Sequence, residues 1–442
     1  MSDQAKPTEG NGSSRRQFLR TSSAIAGGAL ATGLTVPRTV HAAGDDTIKI
    51  GLVGCGGRGT GAAAQAMNTK GSTKLIAVCD AFGDRMQGSL GSLKGRYKDK
   101  VDVPKDRQFT GFDGYKKLCA IKDIDLVIFA TPPHFRPMHV AEALDNGKHV
   151  FMEKPCATDA PGVRLMLDNA RKAKEKNLAL AVGLQRHHEA RYKETIKRLQ
   201  DGAIGDINLT RAYWNGGGVW TRPRKEGQTE MEYQMRNWYY FNWLCGDHIT
   251  EQHIHNLDVI NWLKNGYPVK ANAQGGRQVR TGLDHGEIYD HHFVEFTYAD
   301  GSKMYSQCRH IRGCWNSVSE HAHGSKGTAN IGGATIYDAK GKATWKFGRG
   351  GGGGHQQEHH DLFAALRKGE RPNEGEYGAL STMTSLLGRM ASYSGREIGW
   401  DAALASKISL GPTEYDFKAT PPVVPDAQGR YKIPTPGRTK TV

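Results

Sequence analysis

No two of the seven cysteines stand in a C-x-x-C pair, and their number is odd. Neither a zinc ribbon nor a paired disulfide framework is therefore indicated. No segment holds the roughly 20 continuous apolar residues that a helix needs to cross a bilayer, so no membrane span is expected. The formal net charge is +15, yet the lysines and arginines are dispersed and never form a stripe interleaved with aromatics. That pattern argues against a nucleic-acid partner and for solubility, with weak attraction to anionic small molecules.

What is present begins at the N-terminus. Ser14, Arg15, Arg16, Gln17, Phe18, Leu19 and Arg20 spell a twin-arginine motif, followed by a mild apolar run from Ala24 to Val36 and by Val40-His41-Ala42, a small-residue cleavage pattern. Residues 1–43 are expected to be a Tat export signal, with the Tat export machinery as a partner and a periplasmic or otherwise extracytoplasmic destination. A chain exported already folded is a chain in which a bound cofactor is expected. At 442 residues the remainder is long enough for two domains.

Thr47–Val53 reads as a strand running directly into Gly54-Cys55-Gly56-Gly57-Arg58-Gly59 and then into a helix from Thr60. This is G-x-G-x-x-G in a strand-turn-helix setting: Gly54 for the tight turn, Gly56 for close approach of a pyrophosphate, Gly59 for packing of helix on strand. Gly57 and Arg58 belong to the same phosphate-facing loop. The next strand ends in Asp80, where a carboxylate would accept the adenosine ribose hydroxyls, so NAD is expected; Arg85 nearby leaves NADP open. Leu126–Ala130 then leads into Thr131, Pro132 and His134, assigned to the cofactor, and Lys148–Met152 leads into Glu153-Lys154-Pro155. Alternating strands and helices imply a parallel, doubly wound sheet.

These segments, together with Gly183-Leu184-Gln185-Arg186, resemble the Gfo/Idh/MocA family of oxidoreductases from residue 47 to about residue 400, most specifically through Glu153-Lys154-Pro155. The resemblance implies an α/β chain: an N-terminal Rossmann domain plus a C-terminal α+β domain with an open, mostly antiparallel sheet, assembled as a homodimer or homotetramer. Domain limits are expected at 44–165 for the NAD(P)-binding domain, 166–405 for the substrate domain and 406–442 for a C-terminal extension. Tyr289–Tyr298, the Asp300-Gly301 turn and Lys303–Cys308 fit a hairpin of that sheet.

The resemblance further implies a general acid/base histidine four residues after an acidic one, and Glu251 and His255 stand in that relation. On one helix they would share a face toward Lys154. His255 is then the base that takes a hydroxyl proton, touching substrate as it does so, and Lys154 the cation that steadies the developing alkoxide. Glu251 replaces the aspartate of many relatives, and His253 stands where they often have glycine. The implied reaction moves hydride between a tightly bound nicotinamide cofactor and a hydroxyl of a sugar, glycoside or polyol; redox-assisted or metal-dependent glycoside cleavage on the same fold is the alternative.

Asp247, His248, Glu251, His253 and His255 also read as a metal cluster, but His253 and His255 point roughly 200° apart on a helix, so no metal ligand is assigned. Arg186 and His187, with Trp238 and Trp243 from an aromatic-rich stretch, are the expected substrate contacts: aromatic faces cover a pyranose while polar groups bond its hydroxyls. Gly348–Gly354 lacks the setting of a phosphate loop and is expected to be a linker.

Overall fold

The computed structural model describes residues 46–348 and 350–442; the expected export signal lies outside them. Among the described residues no helix is long and apolar enough to cross a membrane.

The first half builds one sheet from β1 (Ile48–Val53), β2 (Thr73–Asp80), β3 (Gln108–Thr110), β4 (Leu126–Phe129), β5 (His149–Met152) and β6 (Leu180–Val182), in the order β3-β2-β1-β4-β5-β6. Every pairing is parallel. β4 reads Leu-Val-Ile-Phe and is buried throughout, as a parallel strand covered on both faces should be. Strand order reverses between β1 and β4, which opens a crevice beyond their carboxyl ends.

The second half builds β7 (Ile207–Gly216), β8 (Lys270–Gly276), β9 (His291–Thr297), β10 (Lys303–His310), β11 (Ser317–Gly324), β12 (Gly327–Asn330), β13 (Thr335–Asp338), β14 (Ala343–Lys346) and β15 (Ile398–Gly399) into a nine-stranded sheet, ordered β14-β13-β12-β11-β7-β10-β9-β8-β15. Only β7 and β10 run parallel. The expected hairpin is β9–β10, with Thr297 opposite Lys303 and Gly301 at φ +82° in the turn. β10 alternates strictly, burying Met304, Ser306, Cys308 and His310, so its inner face is partly polar. The helix Gly375–Ser394 runs buried between the layers, packed on β8 and on the helix Ala160–Glu175.

The limit expected at residue 165 falls inside the helix Ala160–Glu175, and the parallel sheet runs on to Val182. The reason is β6: a strand is legible before Gly183, but its three residues do not say that it pairs with β5 as the edge of the first sheet. The halves are also knit together, since the helix Gly354–Arg367 returns to pack on the helix Gly57–Met67. Residues 406–442 carry no helix or strand and are pinned at intervals, for example by Gln234 donating to the Val423 carbonyl at 2.7 Å and Tyr289 donating to that of Pro434 at 2.9 Å.

Candidate active site

The glycine loop is dictated by space. A Cβ at Gly59 would lie 1.8 Å from the Gly54 carbonyl oxygen, and one at Gly54, which sits at φ +94°, would lie 2.6 Å from the Ala130 carbonyl carbon; Gly56 and Gly57 face open space. Helix and strand can close only without those side chains, and the open pair leaves room for a ligand to reach the backbone. Gly54, Gly56, Gly57 and Arg58 line a cavity of about 480 Å³, together with Asp80, Arg85, Thr131 and Pro132. Asp80 accepts from the backbone N–H of Cys55 at 2.6 Å and of Phe82 at 2.9 Å. A carboxylate has about four acceptor sites, so two remain for a ribose diol. Burial raises the pKa of Asp80, while the two N–H bonds and Arg85 pull it down. These residues fit a nicotinamide dinucleotide.

Lys154 follows the carboxyl end of β5. Its ammonium donates to the Glu251 carboxylate at 3.0 Å and also bonds the Glu251 carbonyl, so the two sequence halves meet here. Beside it Arg58 donates to Glu153, which is buried. Glu251 and His255 do not share one helix. Glu251 ends a four-residue helix, His248–Glu251, and His255 lies in the next, Ile254–Lys264. His255 stacks on Trp214 of β7 at 5.9 Å, and its Nδ1 is buried without a hydrogen-bond partner. Burial, and after it the Lys154 and Arg186 charges, hold its pKa well below the usual histidine range. Burial and these charges favour the neutral imidazole, the form that can accept a proton.

Four expected contacts have other duties. His134 is bonded to the Tyr415 hydroxyl at 2.8 Å and edge-stacked on Trp243; it anchors the C-terminal extension and does not line the cavity. Trp243 is 1% exposed and donates its indole N–H to Gln234, so it is core. His187 lies 2.8 Å from Asp258 and is stacked between Trp262 and Tyr377. Arg186 forms a buried ion pair with Glu320, which Asn256 and Tyr192 also bond. In each case a partner distant in sequence claimed the polar atoms. Trp238 lines the cofactor cavity, edge-on to Trp220. His253 bonds Ser306 and takes no part in a cluster with His255.

Sequence reasoning saw the cavity's second wall only in part: Trp220 and Arg222 belong to the aromatic-rich stretch read as pocket-like, whereas Met235, Arg236 and Phe417 were not singled out. Trp220, Arg222, Met235 and Arg236 close it from the opposite half of the chain. Arg236 reaches across to Asp84 with two bonds, at 3.1 and 3.2 Å, and lies 3.9 Å over the Phe82 ring. Phe417 of the extension packs on Phe82 and Phe112, both of which line the cavity. No local pattern marks Arg236 or Phe417, because each acts through a contact made only after folding. His355 was missed as well: its pKa is lowered by desolvation, then by the Arg58 and Lys154 charges.

The profile of the GFO/IDH/MocA oxidoreductase family, NAD-binding Rossmann fold, matches residues 48–183, and that of the GFO/IDH/MocA C-terminal domain matches residues 192–330. Inositol 2-dehydrogenase of Rhizobium meliloti is 26% identical over 282 residues, 64% of this chain and 74% of that one. Glycosyl hydrolase family 109 protein 1 of Bacteroides fragilis strain YCH46 is 29% identical over 196 residues, 41% of this chain; the match spans only 39% of that relative's length. Among solved structures, aldose-aldose oxidoreductase of Caulobacter crescentus complexed with glycerol has a TM-score of 0.62 at 16% identity, covering 80% of this chain and 99% of its own. Scyllo-inositol dehydrogenase of Lactobacillus casei with bound NAD(H) and scyllo-inositol has a TM-score of 0.61 at 20% identity, with the same coverage. At such identities the structures show the fold, while the two profiles together match more than half of the sequence: the chain belongs to the Gfo/Idh/MocA family of oxidoreductases.

Proposed function

We propose that this protein holds NAD tightly and interconverts a hydroxyl and the corresponding carbonyl of a sugar, glycoside or polyol outside the cytoplasm. The observation that carries the reading is the meeting of Lys154 and Glu251 at 3.0 Å beside His255. Gly54, Gly56, Gly57, Arg58, Asp80, Thr131 and Pro132 would hold the dinucleotide, whose nicotinamide supplies the hydride acceptor or donor. His255 takes the hydroxyl proton as the C–H bond breaks. The Lys154 ammonium, held by Glu251, lies where negative charge grows on the substrate oxygen. Asp80 favours NAD, since a carboxylate repels a 2′-phosphate.

Retention is supported by the second wall, which Arg236 ties to Asp84 and Phe417 packs from outside. Export rests on the twin-arginine motif and is tested separately: cell fractionation should find the chain outside the cytoplasm, and the Arg15→Lys/Arg16→Lys pair should trap it inside.

A second reading has its own support in the glycosyl hydrolase names of several relatives. Oxidation of a ring hydroxyl to a ketone acidifies the neighbouring C–H; loss of that proton expels the glycosidic oxygen, water adds to the resulting enone, and return of the same hydride restores the hydroxyl. Incubating the purified protein with a panel of sugars, glycosides and inositols, while following reduced-nicotinamide absorbance and products, decides between the two. A stable ketone supports dehydrogenation, a released aglycone supports cleavage, and neither with any substrate class rejects both.

A further inference from the structure

Asp247, His248 and His292 each offer one ligand atom within 4.8 Å of the others, and all three residues are buried. The surrounding bonds determine which nitrogens are free. His310, its ring tilted against that of His248 with centroids 4.4 Å apart, accepts from Arg280 through Nδ1 at 2.5 Å; its proton is therefore on Nε2, which donates to Gln252 at 2.7 Å. Both of its nitrogens are committed. His248 Nδ1 lies 2.7 Å from Asp247 Oδ1, and His292 Nδ1 lies 2.8 Å from the Ser392 hydroxyl. Nε2 of each of these rings is buried without a hydrogen-bond partner.

His292 Nε2 stands 3.2 Å from Asp247 Oδ2. Asp247 accepts from the Tyr393 hydroxyl, the Tyr289 N–H and the His248 N–H, the bonding of an ionised carboxylate. An anionic oxygen facing a nitrogen lone pair at that distance is repulsive unless a proton or a cation lies between them. The outer contacts match those of metal ligands, which are themselves hydrogen-bonded: the Tyr393 hydroxyl donates to Asp247 Oδ2 at 2.6 Å and the Tyr289 N–H at 3.0 Å. Asp247 sits at φ +69°, a backbone strain tolerated where a side chain must be aimed.

Cys308, a softer donor, lies on the same sheet face but outside the three groups whose ligand atoms converge within 4.8 Å. Cys308 is paired with His292 in the β9–β10 register, which puts both side chains on one sheet face with Cβ atoms about 5 Å apart. Cys308 is 1% exposed, and burial followed by the Asp247 charge pushes its thiol up.

We infer that Asp247, His248 and His292 hold one divalent cation of the zinc class, with Cys308 turning in as the fourth ligand, and that the ion ties the β9–β10 pair to the segment carrying Glu251 and His255. Two imidazoles, a carboxylate and a thiolate suit tetrahedral zinc, and a site closed to solvent is structural. Binding releases the Cys308 proton to solvent, because the thiolate is the ligand. Arg280 is the nearby opposing charge, and it is committed to the Tyr289 carbonyl and to His310.

The test uses the full chain, produced in zinc-supplemented medium and purified without chelators. Elemental analysis should find about one zinc per chain, and cobalt(II) substitution should give tetrahedral visible bands with a thiolate charge-transfer band that Cys308→Ser abolishes. His292→Ala should lose the ion; because it removes a core side chain, the wild-type stoichiometry and Cys308→Ser carry the test if that variant does not fold. Absence of metal above background in the wild type overturns the inference, as does zinc at full occupancy in both variants. Nucleotide content is a separate readout, so this inference can fail while the dinucleotide reading stands.

Discussion

At the residue scale, the proposed chemistry rests on His255 and Lys154. Replacing His255 with Ala should lower kcat by about 10²- to 10⁴-fold, the usual worth of a general base, while nucleotide content stays at the wild-type level; an unchanged kcat would remove His255 from the reaction. The pH profile adds a sign. Because the folded pKa of His255 lies below the ordinary value, the acid limb of kcat/KM belongs below the ordinary histidine value of about 6.5. The residual activity of Lys154→Met should show that limb shifted upward, since the Lys154 charge helps to hold the proton off. A limb at the ordinary histidine value in both proteins would speak against the assignment.

Residues legible in the sequence were those whose meaning is local. Gly54, Gly59 and Asp80 announce themselves through a strand, a turn and a helix in succession. Lys154 and Glu251 are 97 positions apart, and only the family resemblance joined them. Trp238 and Trp243 look alike in the sequence, yet one lines a cavity and the other is core, because burial is decided by the helix on which each sits. Asp247 and His248 were visible as candidate ligands, whereas His292 sits in an alternating strand and gave no sign.

At the element scale, the glycine turn and the C-terminal extension govern the cofactor cavity from opposite sides. Gly59→Ala places a methyl group 1.8 Å from a backbone oxygen, so the helix Gly57–Met67 must move off β1; the expected outcome is loss of bound nucleotide and a lower Tm, measured by nucleotide release and calorimetry. The extension acts more gently. Phe417→Ala removes an aromatic brace from Phe82 and Phe112 without touching the glycine loop, and should speed nucleotide release roughly tenfold, as loss of about 1.4 kcal/mol of binding would. Release at the wild-type rate would show that the extension does not brace the cavity. The split catalytic helix was illegible for a related reason: the i, i+4 spacing of Glu251 and His255 suits one continuous helix, and only the packing of His253 against Ser306 and of His248 against the nine-stranded sheet reveals the break.

For the whole molecule, buried histidines dominate the response to acid. Desolvation lowers the pKa of His134 to about 4 and of His139 and His253 to about 3. Each is neutral when folded and takes up a proton on unfolding between its folded value and about 6.5. Their stabilisation is complete above pH 6.5 and is lost as pH falls toward 4. Thermal melts should therefore drop by at least about 5 °C across that interval, and a flat Tm would contradict the burial of these rings as neutral groups. The two-layer architecture itself was largely legible, because continuous apolar strands and alternating strands declare parallel and antiparallel sheets; the return of the helix Gly354–Arg367 to the first layer was not, since a helix does not encode which neighbour it will meet.

The central claim is that this fold holds a nicotinamide dinucleotide for hydride transfer, and its most direct test is to denature the purified, folded protein and identify the released small molecules by mass spectrometry. About one NAD(H) per chain is the predicted result; no nucleotide, together with no saturable binding of NAD or NADP by calorimetry, would contradict it.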